Sequence, residues 1–387
     1  MTIACAICGE AIHSVQVHLT KAHPGMTLQD YQATYPGQPV LSQAAIEHLR
    51  AKGVQAPGVT PATPTAAAPA TPHTMSVTVT KKALHELFAL PDSTAVRNGR
   101  GDPIPVSVLS NLGEFAMYVP EVDEGHVWEI ENLKNMLLAV ETDIPLYVWG
   151  HKGTGKTTAL EQVAARTGRP VLRIQHTINT EESHIVGQWT VKDGETVFEL
   201  GPLPLAMKYG WVYLADEYDF ALASVLSVYQ PVLEGKALII KQADAQNRVI
   251  KPHPNFRFWA TGNTNGTGDE SGLYQGTSVQ NAANYDRFGM VIEAQYMPPA
   301  QEAIIIRNRT GISVKEAEKL VSLATAIRRE FAAGKLGDTV STRALVNAAK
   351  IGLKRGNMRL GVQLAYSNKL SRVDKTVVDG VAQRELG

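Results

Sequence analysis

The chain predicts an α/β domain, a parallel sheet sandwiched by helices, joined to a C-terminal helical domain and preceded by a small cysteine-bearing module. Three observations carry that expectation. Short apolar runs at 144–149, 170–174, 210–214 and 256–260 are separated by helical stretches such as 157–167, and strands alternating with helices build a parallel sheet covered on both faces. From Pro299 onward the pattern is helical, and residues 299–387 hold 16 Lys/Arg against 8 Asp/Glu. Since 37 Lys+Arg balance 37 Asp+Glu overall, this part carries +8 and residues 1–298 carry −8. Finally, Cys5 and Cys8, the chain's two cysteines, sit together near the N-terminus. The expected divisions are a module at 1–48, a linker at 49–76, the α/β domain at 77–298 and the helical domain at 299–387.

Composition sets the outer limits. A chain of 387 residues with 44% apolar content can fill a sizeable core. Zero net charge argues against coating nucleic acid through bulk electrostatics. No apolar run approaches the roughly 20 residues of a membrane-spanning helix, and the start MTIACAICGE lacks the basic and long apolar parts of a secretory signal. A cytoplasmic protein without a membrane partner is expected. Two cysteines exclude a disulfide framework.

In the module, Cys5-x2-Cys8 is followed by His18-x4-His23. Two thiolates and two imidazoles can close a tetrahedral Zn2+ site and so hold a module too small for its own core. The competing reading, a redox Cys-x-x-Cys, needs a thioredoxin-like fold for which the module has no room. His13 stands alone and reads as a surface residue. After the module, residues 51–75 hold five Pro, seven Ala, five Thr and one charge, Lys52. Such a segment prefers extended, solvated backbone and reads as a linker.

The α/β part carries the chemistry. Gly150, His151, Lys152, Gly153, Thr154, Gly155, Lys156 and Thr157 fit G-x-x-x-x-G-K-[ST], and Thr158 continues into the helical stretch. Glycines let backbone N–H groups turn around phosphate oxygens, Lys156 reaches the β- and γ-phosphates, and the Thr157 hydroxyl sits on Mg2+. An apolar strand before the loop and a helix after it are the context this mechanism requires. Asp216 and Glu217 then end the apolar run 211–215. Asp216 can hold the Mg2+ shell and Glu217 can polarise the attacking water. Asn263 ends the run at 256–260 and can bond the γ-phosphate or the water, although an isolated Asn there also reads as a turn residue. Arg287 and Arg343 can offset transition-state charge, in cis or in trans. By spacing alone, a surface ion pair is the favoured reading of either. Two hairpins are expected: one at 188–198 around Asp193-Gly194, and one pairing 237–241 with 248–251. In the helical part, Ser313 and Glu316 form a capping box that opens a helix to about 333, and a second helix covers 341–355.

Taken in order, GHKGTGKTTALEQVAAR (150–166), LADEYDFA (214–221), the 251–277 stretch with Thr-Gly-Asn263, NYDRFGMV (284–291) and Ser-Thr-Arg343 resemble the MoxR branch of AAA+ ATPases. Within that branch they look most like the small ATPase subunits of aerobic cobaltochelatases. Val119 to Asp123 also fits. The resemblance implies a P-loop AAA+ domain with a helical lid, binding ATP and Mg2+. It makes Lys156 and Thr157 Walker A, Asp216 and Glu217 Walker B, Asn263 sensor 1, Arg287 the arginine finger and Arg343 sensor 2. It further implies a hexameric ring, the neighbour's finger completing each site, and a client or von Willebrand A-domain partner. The hairpins take the places of the branch's helix-2 insertion and the hairpin before sensor 1. The module resembles the C2H2 zinc finger of Ros/MucR regulators, but residues 1–50 hold only Lys21 and Arg50 against Glu10, Asp30 and Glu47. A near-neutral finger lacks the phosphate contacts that give DNA affinity, so recruitment of a protein is preferred. The expected activity is ATP hydrolysis coupled to remodelling of a partner, such as a metal chelatase complex. The alternative is a DNA-directed motor or loader addressed by the finger.

Overall fold

The computed structural model describes residues 2–36, 38–42, 44–45, 77–269 and 272–387. They form two compact units, divided between Thr74 and Met75. The expected linker, 49–76, lies outside the described residues.

In the first unit, Ile3–Ala4 pairs antiparallel with Ala11–Ile12, which folds the intervening segment into a tight knuckle bearing Cys5 and Cys8. The helix Val15–Ala22 follows, then Leu28–Thr34, opened by a reciprocal cap between Thr27 and Asp30. Cys5, Val15, Leu19 and Tyr31 are buried between them.

The second unit is built on five parallel strands: β1 (Leu146–Trp149), β2 (Val171–Gln175), β3 (Val212–Asp216), β4 (Arg257–Gly262) and β5 (Met290–Glu293). Their order across the sheet is β5-β1-β4-β3-β2. Because side chains alternate along a strand, neighbours in sequence enter different cores. Leu146, Val148, Val212, Leu214 and Trp259 pack against α1 (Ile130–Thr142) and α2 (Lys156–Arg166). Tyr147, Tyr213, Ala215, Phe258 and Ala260 face α3 (Pro202–Tyr209) and the turns around Tyr218 and Tyr229. Burial on both faces explains why β3 reads as an unbroken apolar run up to Asp216, and why β4 is apolar between Arg257 and Thr261.

Four of these strands match the expected runs to within two residues. β5 was not expected as a strand: it is four residues long, at the sheet's edge, and mostly outside the core. The hairpin pairs Gly187–Lys192 with Glu195–Leu200, and Asp193 and Gly194 take φ of 53° and 85°, the backbone of a type I′ turn. The other expected hairpin shrinks to Leu238–Ile239 against Val249–Ile250.

Five helices complete the unit: α4 (Pro299–Thr310), α5 (Val314–Ala332), α6 (Thr342–Arg355), α7 (Met358–Ala365) and α8 (Arg372–Leu386). Ser313 and Glu316 cap α5 reciprocally, and the Ser341 hydroxyl accepts the Ala344 N–H at the start of α6. Leu320, Ala324, Leu345, Ala349 and Val378 form a third core here.

Candidate nucleotide-hydrolysing site

The carboxyl ends of β1, β3 and β4 lie side by side, and each ends in residues singled out above. Their adjacency in the sheet, not in the sequence, assembles the site. The loop after β1 turns tightly beneath β5 and α6. Gly150 has φ of 148°, and a Cβ there would lie 2.3 Å from the Ala294 carbonyl oxygen. Gly155 caps α2 in a left-handed conformation.

Lys156 is buried, and its ammonium donates to the carbonyls of Gly150 at 2.7 Å and His151 at 3.1 Å. It also donates to Asn263 Oδ1 at 3.3 Å. The opposite end of that amide, Asn263 Nδ2, donates to Glu217 Oε2 at 2.6 Å. One side chain therefore spans the cation of the loop and the acid of the next strand. Thr157 Oγ1 donates to Asp216 Oδ1 at 2.8 Å, and the Thr261 hydroxyl donates to the same oxygen. Arg173, on β2, holds the other carboxylate oxygen through Nε at 2.9 Å and reaches Glu161 on α2 at 3.2 Å.

Burial shapes the electrostatics. It lowers the Lys156 ammonium, against the pull of Glu217, Asp219 and Asp216. It raises the Glu217 carboxyl, as does neighbouring Asp216, while Lys156 and the Asn263 bond oppose the shift. Glu217 sits at φ 55°, a left-handed conformation unfavourable for a residue with a Cβ.

The crown of the loop is held from two sides. His151 Nδ1 and the Lys152 N–H meet the Tyr274 hydroxyl at 3.0 and 2.9 Å, and Lys152 Nζ pairs with Asp338 at 2.5 Å. Thr154 Oγ1 closes the turn onto the His151 carbonyl at 2.9 Å. Gly153 packs beneath Ser341, whose Cβ would lie 2.4 Å from a Cβ at that position.

A cleft of about 410 Å³ opens beside this loop. Gly153, Lys156 and Thr158 line one end, Val127, Trp128, Leu133 and Met136 an apolar end, and Arg343 and Asn347 the side facing α6. The apolar end comes from 125–136, a stretch without a distinctive pattern for a nucleoside pocket. A larger groove, about 730 Å³, lies between α4 and α5 but shares no residue with the glycine-rich loop. Arg343 thus joins the loop, whereas Arg287 does not: it is absent from the cleft lining and pairs with Glu234 at 2.6 Å. Thr261, Arg173 and Asp219 are site residues that sequence reasoning missed. Only Asp219 left a trace, as a second aspartate three residues after the first. Hydroxyl and carboxylate oxygens at Thr157 and Asp216 are the hard donors that Mg2+ selects.

In the other unit, the ligand atoms of Cys5, Cys8, His18 and His23 lie within 4.8 Å of one another. Cys8 Sγ is 3.3 Å from His18 Nε2, and His23 Nε2 is buried with no hydrogen-bond partner among the described residues. Burial raises the Cys5 thiol, yet hydrogen bonds from the Cys8 and Ile7 backbone leave it lowered overall. His13 stands outside the cluster, bonded to Ser42 at 2.8 Å.

Comparison with known proteins fits this arrangement. Residues 145–288 match the AAA domain of the dynein-related subfamily, and 302–383 match the CbbQ/NirQ/NorQ C-terminal family. Aerobic cobaltochelatase subunit CobS of Sinorhizobium sp is 33% identical over 314 residues, covering 78% of this chain and 93% of that protein. Protein NorQ of Paracoccus denitrificans (strain Pd 1222) is 27% identical, covering 66% of this chain and 87% of its own. Protein CbbQ of Hydrogenophilus thermoluteolus is 24% identical, covering 57% and 79%. Among the described residues, no helix is long and apolar enough to cross a membrane. With the glycine-rich loop, the paired acids and the helical lid all in place, the chain belongs to the MoxR branch of the AAA+ ATPases and is an ATP hydrolase that works with Mg2+.

Proposed function

We propose that this ATPase acts as a ring of copies that uses hydrolysis to remodel a partner protein. The observation that carries the reading is the single amide of Asn263 spanning Lys156 and Glu217. It makes the phosphate-binding cation and the water-polarising acid respond to the same group. Lys156 exchanges the carbonyls of Gly150 and His151 for β- and γ-phosphate oxygens. Thr157 and Asp216 hold the metal, and Mg2+ when bound offsets the charge on those oxygens. Glu217 orients the attacking water and draws on its proton, which requires the raised carboxyl to be ionised. Arg343 faces the loop from the lid. The apolar end of the cleft takes the adenine.

Arg287, engaged with Glu234 outside its own cleft, is read as serving the neighbouring copy, six copies to a ring. Two inactive variants test this. Arg287→Ala has an intact cleft and no finger, and Glu217→Gln the reverse. Mixing them should restore a sizeable fraction of activity if the finger acts in trans, and none if it acts within one chain.

The partner is read as a protein of the cobaltochelatase kind, in line with the name of the CobS relative, or one bearing a von Willebrand A domain. Cys5, Cys8, His18 and His23 are read as a Zn2+ site: tetrahedral Zn2+ with two thiolates and two imidazoles spaces its ligand atoms about 3.3–3.8 Å apart, compatible with the 4.8 Å limit here. The zinc module then serves as the address for the partner. Capture from native lysate with Glu217→Gln loaded with ATP, against Lys156→Ala, tests the client. Enrichment of a chelatase large subunit or A-domain protein supports the reading. Enrichment of DNA that is lost on deleting residues 1–48 overturns it in favour of a DNA-directed motor.

A further inference from the structure

Asp219 lines no part of the cleft, yet its side chain is fully buried. Its Oδ2 accepts three hydrogen bonds: from the N–H of Asn263 at 2.8 Å, the N–H of Thr264 at 2.9 Å and the hydroxyl of Thr264 at 2.9 Å. Oδ1 is buried with no partner among the described residues. Its main-chain carbonyl accepts the Ser278 N–H at 2.7 Å, so the glycine-rich segment after β4 is tied to the same residue. From the other side, the Tyr147 hydroxyl donates to the Thr264 carbonyl at 2.9 Å.

A carboxylate withdrawn from water is costly unless donors replace the water. Here all the donors converge on one oxygen, and they come from the two residues at the end of β4. Asp219 lies in the short turn that begins with Glu217 in its left-handed conformation. The turn after β3 and the end of β4 are thus joined at two levels. The Asp219 carboxylate grips the Asn263 backbone, and the Asn263 side chain reaches back to Glu217.

Resting on the roles given above to Asn263 and Glu217, we infer that Asp219 is a positioning residue for hydrolysis, fixing the backbone of Asn263 so that its amide faces Lys156 and Glu217 together. It touches no phosphate. Its removal frees the end of β4 to shift, and the amide then no longer spans both groups. Nucleotide binding, which rests on the glycine-rich loop, is left largely intact. Only the acceptor oxygen matters in this role, so an amide at 219 can take the same three bonds.

The test uses the full chain with Asp219→Ala, Asp219→Asn, Asn263→Ala and the double variant Asp219→Ala/Asn263→Ala. Steady-state ATPase rates, affinity for a fluorescent ATP analogue and thermal midpoints are compared. Asp219→Ala should lower kcat about 30-fold or more, short of the roughly 100-fold or greater contribution of a positioned acid–base group because Asp219 acts only through Asn263, with affinity changed less than about threefold. Asp219→Asn should stay within about fivefold of the parent, because its oxygen keeps the donors. The double variant should be no slower than Asn263→Ala, the signature of two residues acting as one unit.

Asp219→Ala leaving kcat unchanged while Asn263→Ala lowers it would overturn this inference alone. So would a double variant showing the product of the single losses. Should Asp219→Ala melt below the assay temperature, Asp219→Asn decides: a fall as deep as that of Asn263→Ala, with an unchanged melting point, means the charge acts directly and sinks the positioning role. Asn263→Ala without effect would overturn the underlying reading of the site.

Discussion

The parallel sheet and the cysteine-bearing module keep their shapes by different physics. Every side chain of β3 and β4 is buried, and alternate residues feed two separate apolar cores. Among its described residues the module's apolar cluster is Cys5, Ile12, Val15, Leu19, Tyr31 and Val40, with His18, Leu41 and Ser42 also buried. So small a cluster cannot offset the conformational entropy of the segment it orders. The sheet's stability is thus spread over many contacts, whereas the module's, on the zinc reading proposed above, is concentrated in Cys5, Cys8, His18 and His23. Damage to the first should be graded, and damage to the second all or none.

Metal removal should give the largest contrast. Chelation at neutral pH, or Cys5→Ser, should unfold the module outright, since a structural Zn2+ site supplies about 10 kcal/mol or more. Amide exchange along Val15–Ala22 reads this directly. ATP turnover and the melting of the sheet domain should hold steady; loss of both would show that the regions do not stand apart. Next in size is Trp259→Ala. Trp259 is fully buried beneath α1 and α2, and its truncation should cost about 3–5 kcal/mol in denaturant unfolding, with the cysteine-bearing module unaffected. A cost under about 1 kcal/mol would mean that this core collapses around the gap.

How far the sequence reached also divides along this line. The strand before the glycine-rich loop, Lys156, Asp216 and Glu217 were readable because each depends on a local pattern: an apolar run, a turn and the residue that follows. Arg173, Thr261 and Asp219 were not, because their roles arise from strands placed side by side. Nothing within 171–175 says that its arginine will lie against Asp216 on the next strand. Residues 125–136 gave no hint of a pocket, since an apolar helix start reads the same whether it meets a base or a core. Arg343 was separable from a surface ion pair only once α6 was seen to bring it to the loop. The module's ligand pattern, in contrast, was plain in the sequence because its chemistry is all within 23 residues of the N-terminus.

Acid offers a finer version of the contrast. Burial lowers His176 to about 4. Its Nδ1 lies 3.1 Å from the Asp216 carbonyl and its Nε2 lies 2.8 Å from the Tyr229 hydroxyl. These are the partners of a neutral ring that donates through Nδ1 and accepts at Nε2. Between 4 and the ordinary 6.5 the unfolded chain binds a proton that the folded chain does not, so this contribution is full above 6.5 and is lost as the pH falls toward 4. The sheet domain's melting point should drift down over that range, and His176→Asn should flatten the drift. An equal slope in the variant would remove His176 as the cause. On the zinc reading, the module should instead fail over a narrow interval, as acid releases the metal. Smallest of all, Glu217 acts in the opposite sense on stability. Its raised carboxyl favours the folded state while protonated, so its contribution fades as the pH rises above the ordinary 4.5. Turnover, which needs the ionised form, should rise over the same interval, and a turnover independent of pH there would remove Glu217 as the group responsible.

The contact between Gly153 and Ser341 has a consequence for inheritance. The phosphate-loop pattern leaves position 153 open to any residue, but here φ is 72° and a Cβ would strike the first residue of the cap on α6. The freedom written into the pattern is withdrawn by a helix start far along the chain. A loop transplanted from a distant relative with a bulkier residue at that point would have to bring its own lid with it, so the two segments are exchangeable only as a pair.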